Sequence, residues 1–380
     1  MNLLTSLMSM FKFFSMQHES RRSFALDVFR GLALIWLIMA ALQSELNGVF
    51  SVFRVSEEGG QTLSDGLFPT FLFAMGLSMA HSLEKFRSHP LIEILFHLVK
   101  RGVVLFFIGG LLNLFLFWHS RGDNPVDVTA IKWYQVLGPL QRMAIGYFMS
   151  AFALKFFGEK PSFVFGLILL CLYWAVISFA GNILTPNRLH SDGVVHLAHI
   201  YNMPIDLKSI SVIFAQMALV LFGYAVETYL NKNGKAADTL LRLFFLGFIC
   251  FASGWLLQRI SVCTPVPSAP GFTLLAMGAN VVLYSFLILT LPGHGMRRGG
   301  LRFIENFGKN PLLIYLAAII LAAFYVHVRI EEMVLPAYLN ETLFRALTPE
   351  AGALVQGFVL VILLGGLAAF LQKRKWHLRA

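Results

Sequence analysis

Charge is scarce in this sequence. Asp, Glu, Lys and Arg make up 13% of the 380 residues, apolar residues 57%, and mean hydropathy is +0.70. A soluble domain needs roughly twice that charged fraction to cover its surface, so a water-soluble globule is excluded. Cysteine is scarcer still. Cys171, Cys250 and Cys263 sit in or beside apolar runs at no ligand or redox spacing, which excludes a disulfide scaffold and a zinc site. No phosphate loop, dinucleotide fingerprint, His-Glu-x-x-His or nucleophile elbow is present. There is no internal repeat, and no pair of broken apolar segments of the kind secondary transporters build their sites from. The 37 Phe and 14 Met residues read as lipid-facing and core filling.

Long apolar runs are what the chain has. A membrane-spanning helix needs about 20 mostly apolar residues. Ten runs qualify, at 24–45, 64–83, 102–118, 134–157, 162–182, 208–230, 239–258, 270–291, 311–328 and 351–372. The expected fold is therefore all-α: a polytopic membrane protein with about ten transmembrane helices. Residues 1–20 form an N-terminal segment compatible with an interfacial helix, 21–373 the membrane domain, and 374–380 a basic tail. The net charge of +10 is sorted by side rather than clustered on one surface. When the loops alternate across the bilayer, 21 of the 30 basic residues fall on one side, eight on the other, and Arg142 within a run. The positive-inside rule makes the rich side cytoplasmic. Both termini are then cytoplasmic in a multi-pass protein of the cell's inner membrane, its partner a lipid bilayer and not nucleic acid.

Ionisable groups inside a bilayer are costly and mark sites by default. Asp27 and Arg30 open the first run, Arg101 enters the third and Lys309 the ninth. Arg142, beside Gln141 in 138-GPLQRMAIGY-147, lies eight residues in from Tyr134, or about 12 Å by helical rise. Asp65 opens the second run, where it can cap a helix or act chemically. Asp27 and Arg30, at i and i+3, can form a surface pair, with Arg30 snorkelling to the interface. The loops on the other side carry Glu57, Glu58 and the cluster 190-HSDGVVHLAH-199 with His196 and His199. His at i and i+3 without cysteine is a weak metal signal, and no metal is expected.

Four segments share order and spacing with one known family. They are 22-RSFALDVFRGLAL-34, 62-TLSDGLFPTFLFAMGLSMAHSL-83, 138-GPLQRMAIGYF-148 and 304-IENFGKNPLLIYL-316. The chain resembles the heparan-alpha-glucosaminide N-acetyltransferase family, within a wider group of multi-spanning acyltransferases. The resemblance implies transfer of an acetyl group from cytosolic acetyl-CoA to a glycan or other sugar-containing acceptor across the membrane, and a homodimer. On that reading Asp27, Arg30, Arg101, Gln141, Arg142, Lys309 and Asn310 serve the donor, whose phosphates attract cations. The family carries a catalytic His in the loop after the first span and an Asn within that span. Their positions fall here at Val55 and Ala41, and 45-ELNGVFSVFRVSEEGGQTLSD-65 contains no histidine. A base must take the acceptor's proton. The candidates are Asp65, Glu57, Glu58, His196 and His199. Two other readings stay open: a CoA- or lipid-binding protein of the same fold without the reaction, and a transporter.

Overall fold

The computed structural model describes residues 24–40, 64–85, 91–120, 138–158, 161–184, 207–234, 236–260, 270–291, 299–330, 333–342 and 348–374. They are almost wholly helical. In chain order the helices are α1 (24–40), α2 (Leu67–Lys85), α3 (Leu91–Ser120), α4 (Pro139–Phe157), α5 (Ser162–Leu184) and α6 (Leu207–Asn233). They continue with α7 (Ala237–Ile260), α8 (Pro270–Thr290), α9 (Gly299–Lys309), α10 (Pro311–His327), α11 (Leu335–Thr342) and α12 (Pro349–Lys373). A two-residue antiparallel pair, β1 (Arg329–Ile330) and β2 (Met333–Val334), joins α10 to α11 in the register Arg329–Val334.

Each apolar run in the sequence has most of its described residues on one of these helices. Among the described residues, five helices are long and apolar enough to cross a membrane unaided, and a sixth if the bent pair α9–α10 counts as one span. α3, α5 and α7 turn large apolar side chains outward, with Phe107, Leu111, Trp174, Phe245 and Ile249 all exposed. Apolar surface on that scale belongs against lipid. The chain is therefore an all-α, multi-pass membrane protein.

Local chemistry sets the helix ends. α4 starts where Gly138 is extended and Pro139 takes the first helical position, which needs no N–H donor there. α12 starts at Thr348, whose hydroxyl accepts from the Ala351 N–H at 3.3 Å. Between α9 and α10 the chain breaks at Asn310, with φ −128° and ψ 53°. The residue before a proline is driven out of the helical region, so Pro311 starts a new helix bent 88° from the last.

The described helices fall into two compact groups. The first comprises α1, the end of α8 from Val281, and α9 to α12. Gln356 of α12 is its polar clasp: Nε2 donates to the Pro336 carbonyl at 3.2 Å and to Asn340 Oδ1 at 2.7 Å, and Oε1 accepts from the Tyr325 hydroxyl. The second comprises α2 to α6, most of α7 and the start of α8. α6 is its central helix, with residues 215–224 buried without interruption. A helix apolar and buried all round is a core helix. α2 meets it so closely that a Cβ at Gly76 would overlap the Val220 carbonyl, which accounts for the small residues in 74-AMGLSMA-80.

Candidate functional site

In the first group, α1 and α9 cross in backbone contact. A Cβ at Gly31 would run into the Ile304 carbonyl, and one at Gly308 into the Asp27 carbonyl. Only glycine permits that approach. The neighbours of these two glycines are Arg30 and Lys309, so the crossing draws charged residues from opposite ends of the chain into one place. Asp27, Arg30 and Lys309, all expected to serve the donor, lie on the two segments that cross here. Asn310 joins them at the break, 1% exposed.

The charges of this cluster are balanced. Lys309 Nζ lies 2.9 Å from Glu305 Oε1, a hydrogen-bonded ion pair, and Glu305 is 2% exposed. Arg30 Nη1 lies 3.8 Å from Asp27 Oδ1, too far for a hydrogen bond. Arg30 carries the planar guanidinium donors that suit the geometry of a phosphate.

In the second group, Arg101 of α3 donates from Nη1 to the Tyr147 hydroxyl of α4 at 3.2 Å, its guanidinium 4.8 Å from the ring centre. Gln141 is fully buried and accepts a long contact from Asn113 Nδ2 at 3.5 Å. It packs on Gly109, which explains the Gly109–Gly110 pair as close helix packing. Arg142 corrects the depth expected for it. Because α4 begins at Pro139, Arg142 is the fourth helical residue and is exposed on the first turn. Counted from that helix start rather than from Tyr134, Arg142 lies about one turn along α4. Arg101 meets α4 at Tyr147, five residues or about one and a half turns beyond Arg142.

Asp65 lies half-buried in the turn 64–66 that leads into α2. The turn closes through the Leu67 N–H on the Ser64 carbonyl at 3.2 Å, and Thr70 Oγ1 sits 2.8 Å from the Gly66 carbonyl. Thr70 Oγ1 is also 2.8 Å from Asn280 Oδ1 of α8. One hydroxyl proton cannot serve both acceptors, so turning the Asn280 amide, with Nδ2 donating to Thr70, lets both bonds form. Glu57, Glu58, His196 and His199 lie outside the described residues. Among the described residues no group of His, Cys, Asp and Glu is arranged to hold a metal ion.

Two polar groups carry no role in the sequence reading. His81 Nε2 of α2 faces Glu227 Oε1 of α6 at 3.6 Å, and Glu227 is fully buried. Glu305 is the other buried carboxylate among the described residues, paired with Lys309. Glu227 sits at the polar end of its run, in 225-AVETYLNKN-233, where a span end and a buried pair look alike.

Comparison with known proteins covers much of this ground. The family model described as heparan-alpha-glucosaminide N-acetyltransferase, catalytic, matches residues 22–253. That stretch holds Asp27, Arg30, Asp65, Arg101, Gln141 and Arg142, and the His81–Glu227 pair, but ends before Lys309 and Asn310. The heparan-alpha-glucosaminide N-acetyltransferase of Mus musculus is 32% identical over 155 residues, which is 38% of this chain and 22% of the mouse protein. The match thus spans about a fifth of that relative's length. With well over half of its residues matched by the family model, the chain belongs to the heparan-alpha-glucosaminide N-acetyltransferase family.

Proposed function

We propose that the protein is a membrane acetyltransferase. It takes the acetyl group of cytosolic acetyl-CoA and transfers it to an amine or hydroxyl of a glucosaminide or related sugar on the other side of the membrane. Family membership across 22–253 carries this reading. The α1–α9 crossing supports it, since Arg30 and Lys309 each adjoin one of its two contact glycines and Asn310 stands at the break that follows. Asp27 and Glu305 hold those cations in place and keep the cluster neutral until the donor arrives.

Asp65 is the base in this scheme. Its carboxylate takes the acceptor's proton as the acceptor's nitrogen or oxygen attacks the thioester carbonyl. The new bond forms, the C–S bond breaks, and CoA leaves as a thiolate that takes a proton from solvent. In this scheme, ten alternating spans have Asp65 on the acceptor side and the α1 start on the cytoplasmic side. A second reading is favoured by the absence of histidine from 45–65: the chain binds CoA and transfers nothing.

The test is acetyl transfer to glucosamine by the purified protein in proteoliposomes, with acetyl-CoA binding measured by calorimetry. Wild type should bind and transfer. Asp65→Asn should lose about 10²- to 10⁴-fold in transfer with binding intact, the range for a general base. Arg30→Ala should weaken donor binding about tenfold. Binding without transfer establishes the second reading, and no binding by folded protein overturns both.

A further inference from the structure

α6 carries a buried amide that is not satisfied. Gln216 is 3% exposed, yet neither Nε2 nor Oε1 has a hydrogen-bond partner among the described residues. Gln356, nearly as buried, uses both amide atoms in the clasp of the first group. Leaving two polar atoms unmet in an apolar bundle is unfavourable, and native proteins do so rarely. Such a group is explained by a partner that comes and goes.

The surroundings say what partner. Gln216 packs against α4 at Gly146, where an added Cβ would lie 3.4 Å from the Gln216 Cβ. The next residue of α4 is Tyr147, which holds Arg101, and Arg101 Nε is likewise buried without a hydrogen-bond partner. One step of α4 is thus flanked by an unmet guanidinium donor and an unmet amide. A primary amide offers a donor and an acceptor side by side. A phosphate can use only the donor, a cation only the acceptor, and an acyl chain neither. The complement is a neutral group with both functions, on a ligand that also carries negative charge.

Acyl-CoA has that make-up: two secondary amides along its pantetheine arm, joined to a phosphorylated nucleotide. We infer that Gln216 is a positioning residue for the donor, hydrogen-bonding an amide of the pantetheine arm in the seam between α4 and α6. The inference rests on the acetyl-CoA reading above and adds the part of the donor that this seam recognises.

The experiment compares two probes, acetyl-CoA and 3′-phospho-ADP, the same nucleotide without the arm, by calorimetry on the full protein in detergent. Gln216→Met keeps the volume and removes both polar atoms. It should weaken acetyl-CoA binding about tenfold and change 3′-phospho-ADP binding less than about twofold, with the unliganded melting temperature unchanged or raised. Gln216→Leu gives the same comparison should the Met variant fold poorly. Unchanged acetyl-CoA affinity overturns the inference, whether a buried water or the sugar acceptor meets the amide instead. An equal loss for both probes with a lowered melting temperature also overturns it, as a purely structural role. Wild type that binds 3′-phospho-ADP but gains nothing from the arm overturns it while sparing the donor reading. Wild type that binds neither probe overturns both.

Discussion

Glu227 has the least tolerant surroundings of any carboxylate in the second group. It is fully buried in a core helix, with His81 facing it at 3.6 Å. Removing one member of such a pair leaves the other's desolvation uncompensated, typically about 1–3 kcal/mol, and the part exposure of His81 places this pair at the lower end. His81→Ala should therefore lower the melting temperature in detergent, and adding Glu227→Gln should restore part of the loss. Additive losses in the double variant would show that the two side chains do not act as a pair. Residues of this kind mark where sequence reading falls short. Asp27, Arg30 and Lys309 were legible because charge interrupts an apolar run. Glu227 and Gln216 were not, because their burial comes from α2 and α4 closing on α6, which local composition does not record. Arg142 shows a different limit: its position was counted from the start of the apolar run, and the helix that carries it starts at Pro139.

At the scale of elements, the α1–α9 crossing carries residues proposed to bind the donor, and its glycines can be tested against a neighbour with no such duty. Gly308→Ala would push a methyl group into the Asp27 backbone, where neither helix can yield as a side chain would. Overpacking of that kind costs about 1–3 kcal/mol. Gly366 of α12 has nothing within 4 Å of an added Cβ, so Gly366→Ala should be neutral or gain up to about 1 kcal/mol from helix propensity. Chemical denaturation of both variants gives the stability comparison, and acetyl-CoA calorimetry should show weakened binding only for Gly308→Ala. Equal behaviour of the two would remove the crossing from the account. The helices themselves were legible, since apolar length and flanking Gly and Pro locate most of their ends. α9 was not, because it is short and amphipathic, and its burial depends on α1 and α12.

For the whole molecule, the open quantity is topology. Hydropathy gives ten runs, and the basic residues, sorted by loop, put both termini on one side, which needs an even number of spans. Neither count was used to obtain the other. The described helices that pass by length and composition alone number five, or six with the bent pair. One of the helices that do not pass has a physical cause in its own sequence: α4 carries Arg142 and Lys155. A helix packed among others can cross with more polar residues than one alone in lipid, because its polar groups face protein. Reporter fusions decide the matter. Green fluorescent protein fused after Ala380 should fluoresce and alkaline phosphatase there should be inactive, while fusions placed between α5 and α6 should give the reverse. The loop between α6 and α7, with Lys232 and Lys235, should behave like the C-terminus. Active phosphatase at Ala380 would break the even count. It would also break the sidedness on which Arg30 meets a cytosolic donor and Asp65 an acceptor beyond the membrane.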